Sequence, residues 1–469
     1  MNASTTVGLP PGLLLTYYGD DFTGSTDAME VMAAAGIPTV LCLEPPTAEL
    51  LARFPEARCV GLAGSARGRS PEWMEQELPK AFRSLQQLGA PMLQYKVCST
   101  FDSSPTIGSI GKAIDLGAQA VGGRWVPMLI GAPRLKRYQL FGNLFASIGG
   151  EGYRLDRHPT MSRHPVTPMA EADLRVHLHQ QTARPITLVD MVQLQAGTGP
   201  ERVAAYAGDD APVVLIDVLD EATLVAAGQL VWEGKGNGVF TASSSGLQYA
   251  LTAYWRERGW LKQQTDLPAA APSSVIAVVS GSCSPVTASQ IEWAARNGFA
   301  TERLDIWKIL RTETAQAEIE RVVKQACVSI GQGASPIIYS AKGPDDPAVV
   351  GFDTLARDAG RARSDAAREV GTALAEVMKR LLDRTNLRRV VVAGGDSSGE
   401  VASMLGIQAL AAKAAMAPGA PLCRAYSHLP QRDGLEIALK GGQIGDETFF
   451  GKALNGCSFS TPSFRTEAI

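Results

Sequence analysis

Several patterns that would assign a chain to a well-known protein class are missing from this sequence. It has no G-x-x-x-x-G-K-[ST] segment, which excludes a P-loop enzyme, and no G-x-S-x-G nucleophile elbow. No G-x-G-x-x-G motif follows the first apolar run or opens either half of the chain, so a dinucleotide-dependent oxidoreductase loses support. The seven cysteines form no C-x-x-C pair, which indicates free thiols in a reducing compartment rather than disulfides or a zinc site.

Charge and hydropathy exclude further classes of partner. The net charge is −3 over 469 residues and no run of lysine and arginine is long, so nucleic acid is not an expected partner. No apolar run approaches the roughly 20 residues of a membrane span, and no basic region precedes the first short apolar run. We therefore predict a cytoplasmic protein with no membrane partner.

The order of apolar runs predicts the fold class. Strand-like runs alternate with helical patterns rich in Ala, Glu and Leu, which is typical of α/β domains with mainly parallel sheets. A proline-rich stretch at 263–274 predicts a linker between a first domain at 1–265 and a second at 275–469. Residues 124–168 show no persistent period and are predicted to form a long irregular binding loop. The predicted strands are 13–18, 39–43, 59–63, 92–97, 186–190, 213–218, 275–280, 336–340, 389–393 and 436–440.

Two adjacent carboxylates, Asp20 and Asp21, stand where the first predicted strand meets a helical pattern at 28–35. Ligands of open α/β sheets bind at the carboxyl ends of the strands, so this turn is well placed for a site. Neighbouring like charges repel each other, and capping a helix would need only one carboxylate. The pair therefore indicates chemistry. One aspartate could accept a proton from a substrate hydroxyl, which is the role of an aspartate in many phosphoryl transfers.

A second polar turn begins at Lys96, which ends another apolar run. A lysine in this place suits a substrate carboxylate or a phosphate, although exposed lysines at strand ends are also common. Ser104 and Pro105 are predicted to start the next helix as its N-cap and first residue.

The histidines give a weaker indication of a site. His164 lies in the irregular segment, where it is a candidate substrate contact, although loop histidines often have no function. His177 and His179 flank one residue of a helical pattern, so their side chains diverge, and both are predicted to be solvated.

Glycine- and serine-rich turns follow three strands in the second half of the chain. In the turn at 281–284, Ser284 is predicted to cap a helix over 285–297, and the turn could also hold a phosphate. A further turn at 440–446 also follows a strand, and its glycines could cover a ribose or a phosphate.

The remaining turn contains a double glycine, Gly394 and Gly395, which would let a ligand approach the backbone closely. Ser397 and Glu400 have the spacing of a capping box, which would give this turn a purely structural role. A helix N-terminus behind two glycines also favours a nucleotide phosphate.

Together these motifs resemble the four-carbon acid sugar kinase family along nearly the whole chain. The family's D-D-[FL]-T-G turn is matched at 20–24, its K-x-x-S-T segment at 96–100 and its G-S-x-S turn at 281–284. Its G-G-[ED]-[TS]-S turn is matched at 394–398, and its late K-x-G-x-x-G at 440–445. Each motif is weak alone, but five in this order are specific.

The resemblance implies two α/β domains with an active-site cleft between them. The N-terminal domain would bind a small sugar acid, and the C-terminal domain would bind ATP together with Mg²⁺. The γ-phosphoryl group would pass to a terminal hydroxyl of the acid, and a homodimer is a family-level expectation. The implied catalytic residues are Asp20 and Asp21. The implied sugar-acid residues are Thr23, Lys96, Ser99, Thr100, Asp102, Arg163 and His164. The implied ATP residues are Ser282, Ser284, Gly394, Gly395, Asp396, Ser397, Gly441 and Gly442.

The chain departs from the family at one segment. Where the family reads D-S-T-x-R-G after the lysine, Cys98, Asp102 and Ser103 replace its Asp, Arg and Gly. A carboxylate clamp must then come from elsewhere, and the candidates are Arg124, Arg134 and Arg163. The chain resembles a divergent branch acting on keto sugar acids such as 3-oxo-isoapionate or 3-oxo-tetronate, with threonate and erythronate as other substrates.

Two alternatives stay open at this point. The exchange of arginine for Asp102 is compatible with a non-catalytic sensor that binds sugar acids. An oxidoreductase acting on the same acids is the other alternative, and the missing dinucleotide motif weighs against it.

Overall fold

The computed structural model describes residues 8–148, 150–164, 166–262 and 267–456. The chain forms two compact units, Met1–Thr265 and Asp266–Ile469. Residues 263–266 of the predicted linker lie outside the described ranges, and residues 267–274 form neither helix nor strand. Each unit is an α/β structure, which confirms the predicted fold class. No helix among the described residues is long and apolar enough to cross a membrane.

The main sheet of the first unit is parallel. Its strand order is β11-β4-β1-β3-β2, and all residues of β1, β4 and β11 are buried, as expected for strands covered on both faces. Its β-strands β1 to β11 are Leu15–Gly19, Thr39–Cys42, Cys59–Ala63, Met92–Lys96, Val126–Met128, Arg137–Leu140, Asn143–Ile148, Glu151–Arg154, Ile186–Val189, Val213–Ile216 and Val239–Ser243. Its helices α1 to α9 are Phe22–Ala34, Ala48–Leu51, Pro71–Gln86, Ile110–Val121, Leu174–His179, Met191–Gln195, Gly199–Tyr206, Glu221–Gly234 and Gly246–Glu257.

The segment 124–168 is more regular than its sequence indicates. It contains β5, which joins a parallel sheet of order β5-β10-β9, and the antiparallel sheet β6-β7-β8. The prediction of an irregular loop was therefore wrong here. The strands have three to six residues and are joined by tight turns with positive φ at Lys136 and Phe141, so no period is long enough to read.

The second unit is also built on parallel strands, in the order β18-β15-β12-β14-β13. Two long antiparallel strands, β16 and β17, extend this sheet beyond β18. Its β-strands β12 to β18 are Ala277–Ser280, Ala300–Arg303, Pro336–Tyr339, Arg389–Ala393, Ile407–Ala417, Ala420–Ser427 and Glu436–Lys440. Its helices α10 to α17 are Pro285–Arg296, Ile306–Ile309, Thr312–Gly331, Pro347–Val350, Phe352–Asp358, Arg363–Arg384, Gly395–Met404 and Phe449–Asn455.

Two predicted helix starts were wrong. Ser109, not Ser104, caps α4, because Ser104 accepts hydrogen bonds from Thr106 and Ile107 within a separate turn. Helix α16 starts directly after Gly394, so the proposed capping box of Ser397 and Glu400 does not form. In contrast, the predicted cap of α10 is confirmed, since Ser284 accepts a hydrogen bond from the Val286 amide at 3.1 Å.

Candidate functional site

The first candidate site lies at the carboxyl edge of the main sheet of the first unit. Strands β1 and β4 end side by side, with Gly19 paired to Lys96. The Asp20 amide donates to the Lys96 carbonyl at 2.9 Å, and the Arg67 amide donates to the Asp20 carbonyl at 2.9 Å. Backbone hydrogen bonds therefore bring the aspartates, Lys96 and Arg67 together.

Arg67 binds both aspartates. Its Nη2 and Nε donate to the two carboxylate oxygens of Asp20 at 2.9 Å and 3.2 Å, and Nη2 also donates to Asp21 Oδ1 at 2.8 Å. The Asp20 side chain is only 3% exposed, whereas those of Asp21 and Arg67 are 21% and 24% exposed. A shared guanidinium thus offsets the repulsion between the two neighbouring carboxylates.

Asp21 also caps helix α1. Its Oδ1 accepts from the Gly24 amide at 2.8 Å, and its Oδ2 accepts from the Thr23 hydroxyl at 2.8 Å. The helix therefore begins at Phe22, earlier than the helical pattern at 28–35 indicates. Asp21 thus caps the helix and also binds Arg67, whereas Asp20 binds Arg67 through both of its oxygens.

The two carboxylates have opposite pKa shifts. Burial raises the pKa of Asp20, and the charge of Asp21 adds to this shift, although Arg67 opposes it. Burial would also raise the pKa of Asp21, but Arg67, Lys96 and its hydrogen bonds outweigh burial and hold that pKa below the usual value. Asp21 is therefore the more firmly ionised member of the pair.

Lys96 is buried beside the aspartates, so it is not one of the exposed lysines that are common at strand ends. Its Nζ lies 3.5 Å from Asp27 Oδ2. A Cβ atom on Gly24 would lie 2.4 Å from Asp21 Oδ1 and 2.9 Å from Lys96 Nζ, closer than real contacts allow. The glycine of the D-D-F-T-G turn thus leaves room for the ammonium and carboxylate groups.

The segment after Lys96 folds into a tight turn. The Phe101 amide donates to the Cys98 carbonyl at 3.0 Å, and Phe101 has a positive φ of 58°. Thr100 is buried with its hydroxyl 2.9 Å from Cys98 Sγ, and Ser99 is half-buried. Asp102 follows this turn.

His177 is not solvated, contrary to the prediction, whereas His179 is exposed as predicted. His177 Nε2 lies 3.1 Å from the Ser103 hydroxyl, and its ring packs against Phe101. Burial lowers the pKa of His177. The residue supports the turn that carries Asp102, and its helical spacing alone gave no sign of this contact.

The arginines proposed as a carboxylate clamp make the following contacts, and that role stays a prediction. Arg124 donates to the Ala207 carbonyl at 3.4 Å, and the Arg134 guanidinium lies 5.8 Å from the Tyr249 ring centre. Arg163 is exposed at the end of a 3₁₀ helix, Met161–Arg163. The sequence analysis missed Arg67, which lies shortly after β3, the neighbour of β1.

His164 makes local contacts. Its Nδ1 lies 3.1 Å from the Thr167 amide nitrogen and 3.0 Å from the Thr167 hydroxyl oxygen. These bonds shape its own loop, and its role as a substrate contact stays a prediction.

The second candidate site lies at the carboxyl edge of the parallel sheet in the second unit. The Gly281 amide donates to the Ala393 carbonyl at 3.0 Å, and the Gly394 amide donates to the Lys440 carbonyl at 2.9 Å. The ends of β12, β15 and β18 are thereby joined, and the three glycine-containing turns meet at one edge.

The glycines of these turns allow very close approaches. A Cβ atom on Gly281 would lie 2.2 Å from Ser397 Oγ, and one on Gly442 would lie 2.6 Å from Ser282 Oγ. Gly394 has a φ of 127°, a conformation that side chains disfavour. The sequence-predicted residues Ser282, Gly394, Ser397 and Gly442 are therefore brought together.

Two helices begin at this edge. Helix α10 follows Ser284, and α16 follows Gly394, which has no capping side chain, so free amide groups remain in its first turn near Asp396. Free amides at a helix N-terminus attract anions such as phosphate.

A buried lysine, Lys440, lies beneath the last turn. Its Nζ donates to the Thr287 hydroxyl at 3.1 Å, and that hydroxyl donates to the Gly442 carbonyl at 2.9 Å. Burial lowers the pKa of Lys440 to about 7. The lysine thus supports the glycine turn, a contact that its place in the motif did not reveal.

The two edges correspond to two domains of known type. A family model described as a sugar-binding N-terminal domain matches residues 15–251, and one described as a nucleotide-binding C-terminal domain matches residues 277–450. A crystal structure of a Salmonella typhimurium LT2 protein has a TM-score of 0.75 at 25% identity and covers 94% of this chain and 98% of that one.

Named relatives match along nearly the whole chain. A Paraburkholderia graminis protein named 3-oxo-isoapionate kinase is 67% identical over 455 residues, or 97% of each chain. A Pseudomonas fluorescens protein named 3-oxo-tetronate kinase is 30% identical over 450 residues, or 95% of this chain and 97% of that one. With both domains matched in order, this protein belongs to the four-carbon acid sugar kinase family.

Proposed function

We propose that this protein is an ATP-dependent kinase that phosphorylates a hydroxyl group of a small keto sugar acid, with 3-oxo-isoapionate as the first substrate to test. The name of the relative with 67% identity supports the substrate class. The site geometry supports the reaction, since a carboxylate pair held by one arginine can align a hydroxyl for phosphoryl transfer.

We assign the hydroxyl contact to Asp21. Its side chain is 21% exposed, whereas that of Asp20 is 3% exposed and bound to Arg67 through both oxygens. In the reaction the hydroxyl oxygen bonds to the γ-phosphorus, its proton passes to Asp21, and ADP leaves. Asp20 acts as a positioning residue that fixes Arg67.

Positive charge is needed at the same place, because a sugar acid and a triphosphate repel each other. We assign this role to Arg67 and Lys96, which lie beside the aspartates. Thr23, Ser99 and Thr100 of the same turns are proposed to complete the acid site, and Arg163 and His164 stay predicted contacts of the acid.

The nucleotide is proposed to bind at the edge of the second unit. The free amides behind Gly394 and Gly395 suit phosphate groups, with Ser282, Ser284, Asp396, Ser397, Gly441 and Gly442 around them. Among the described residues no three His, Cys, Asp or Glu side chains could together hold a metal ion, so Mg²⁺ is proposed to arrive with ATP as its substrate complex. A cytoplasmic location and a homodimer stay predictions.

The test is a panel of sugar acids assayed for ATP-dependent phosphorylation by mass spectrometry. The panel contains 3-oxo-isoapionate, 3-oxo-tetronate, threonate and erythronate. The wild type is expected to phosphorylate a keto acid, and Asp21→Asn should lower kcat by about 100-fold or more. Asp209→Asn removes the same charge from an exposed position and is the matched control.

Two outcomes would contradict the proposal. Full turnover by Asp21→Asn would remove Asp21 from the mechanism. A wild-type protein that is stabilised thermally by the acids, but not by MgATP, and yields no phosphorylated product would instead be a non-catalytic sensor.

A further inference from the structure

Asp102 is presented on a rigid support, yet part of its carboxylate is unused. Phe101 before it is fully buried against His177, and Ser103 after it accepts a hydrogen bond from Gln181 at 3.0 Å. The Asp102 Oδ1 atom is buried and has no hydrogen-bond partner among the described residues. Buried polar atoms are rarely left without a partner, so this acceptor calls for a ligand or a water molecule.

Arg137, the first residue of β6, offers an unused donor. Its Nη1 donates to the Leu135 carbonyl at 3.0 Å, which fixes the direction of the guanidinium. Its Nε is buried and has no acceptor in the described part of the chain. The antiparallel sheet β6-β7-β8 therefore carries a fixed cation whose Nε–H group has no acceptor among the described residues.

His158 offers a second unused donor. Its Nδ1 accepts from the amides of Thr160 at 3.2 Å and Met161 at 3.3 Å, so the proton of the neutral ring belongs on Nε2. That Nε2 is buried without a partner among the described residues, and the whole side chain is only 4% exposed. Burial and the charge of Arg137 lower the pKa of His158, which favours the neutral ring.

These three residues belong to the neighbourhood of the aspartate pair. Strand β7, the partner of β6, is joined by a hydrogen bond from the Leu144 amide to the Ala172 carbonyl (2.9 Å) to the residues before α5, and His177 of α5 packs against Phe101 beside Asp102. The His158 ring packs against Tyr153 of β8, the other neighbour of β7. Asp102 also contributes to the raised pKa of Arg67. Arg67 in turn binds Asp20 and Asp21. The unused acceptor and the two unused donors therefore extend the acid site from the catalytic end towards β6.

We propose, on the basis of the kinase function above, that Asp102, Arg137 and His158 select the sugar acid. Arg137 and His158 donate hydrogen bonds to its carboxylate, and Asp102 accepts one from a hydroxyl that is not phosphorylated. An anion without a neighbouring hydroxyl would be repelled by Asp102, so the set favours hydroxylated acids over simple carboxylates.

The test uses three variants of the full chain. Asp102→Asn and Arg137→Gln remove charge at nearly constant size, and His158→Asn keeps an acceptor in the position of Nδ1 while it removes the Nε2 donor. Asp209→Asn and Arg157→Gln, both at exposed positions, are the matched controls. The KM values for 3-oxo-isoapionate and for ATP are measured, together with the calorimetric affinity for the acid without ATP.

Each variant is expected to raise the KM and the dissociation constant for the acid by about 10-fold or more, while the KM for ATP stays at the control value. Acid affinity equal to that of the controls in two of the three variants would overturn the inference and assign these polar atoms to water. Because three separate positions are changed, one variant that does not fold leaves the other two to decide. Absence of phosphorylation by the wild type would count against the kinase function, whereas the calorimetric arm still tests the acid site.

Discussion

At the scale of single residues, the acid site depends on one arginine that is shared by two carboxylates. Burial would lower the pKa of Arg67, but Asp20 and Asp21 outweigh it and raise that pKa. Without the guanidinium, two adjacent carboxylates would face each other with one of them almost fully buried. Ionisation of both carboxylates would then cost much free energy, so Arg67 controls both the charge and the geometry of the pair.

We predict that Arg67→Gln lowers both stability and activity. Loss of the cation leaves the Asp20 carboxylate buried without a counter-charge, which should reduce the free energy of unfolding by about 3 kcal/mol. Chemical denaturation measures this change, and steady-state kinetics should show a kcat reduced by about 100-fold. Arg67→Lys, which keeps the charge but cannot bind two oxygens side by side, should retain more stability than activity. Arg157→Gln is the control, and equal behaviour of Arg67→Gln and this control would refute the role.

A second residue-scale prediction concerns pH. The pKa of Lys440 is about 7 in the folded protein and about 10.4 when unfolded, so between these values the unfolded chain binds the extra proton. The free energy of unfolding therefore rises with pH in that window, by at most about 1.4 kcal/mol per pH unit. Below about pH 7 the lysine is protonated in both states, so this dependence on pH disappears. Lys440→Met removes the titration. The difference in unfolding free energy between wild type and variant, measured by denaturation at several pH values, should grow in favour of the wild type as pH rises. If the unfolding free energies of the two proteins change in parallel with pH, the pKa of Lys440 is not lowered in the folded protein.

At the scale of elements, the sequence predicts most of the buried parallel strands, although not β11, and predicts other elements poorly. The bounds of β3, β15 and β18 agree with the predicted ones, because short apolar runs between turn residues are a clear pattern. The hairpin of β16 and β17 was missed, since the alanine-rich sequence of β16 favours a helix by propensity and becomes a strand only through pairing.

The same limits apply to the candidate site. The turns with Asp20 and Lys96 could be found because each directly follows a readable strand. Arg67 could not be assigned to the aspartates, since this requires the knowledge that β3 pairs with β1. Arg137 and His158 lie in the short strands and turns of segment 124–168, which have no readable period.

The close packing of the glycine turns gives an element-scale prediction. A methyl group at position 281 would lie 2.2 Å from Ser397 Oγ, so Gly281→Ala must displace the Ser397 hydroxyl from this turn. We expect MgATP affinity to fall by about 10-fold or more, measured by calorimetry, while binding of the sugar acid changes little. Gly331→Ala at the end of α12 meets no atom of the described residues within 4 Å and is the matched control. Unchanged MgATP affinity in Gly281→Ala would show that the nucleotide does not use this turn.

At the scale of the whole molecule, each unit contains a parallel sheet whose carboxyl edge carries the polar residues of its candidate site. In the first unit these residues are carboxylates and cations, which suit a hydroxylated acid. In the second they are glycines, serines and helix N-termini, which suit a polyphosphate. The chemistry of each edge therefore favours a division of labour in which each unit binds one substrate.

Hydrogen–deuterium exchange tests this division. MgATP should slow the exchange of amides in the turns at 281–284, 394–398 and 440–445, because ligand contacts close the free amides of these turns. The keto acid alone should slow exchange at 20–27 and 96–103 and leave the turns of the second unit unchanged. The Asp102→Asn variant with the acid serves as the control, since it should lose the protection at 96–103 but keep the protection by MgATP. Protection of 20–27 by MgATP without any protection at 394–398 would reverse the proposed roles of the two units.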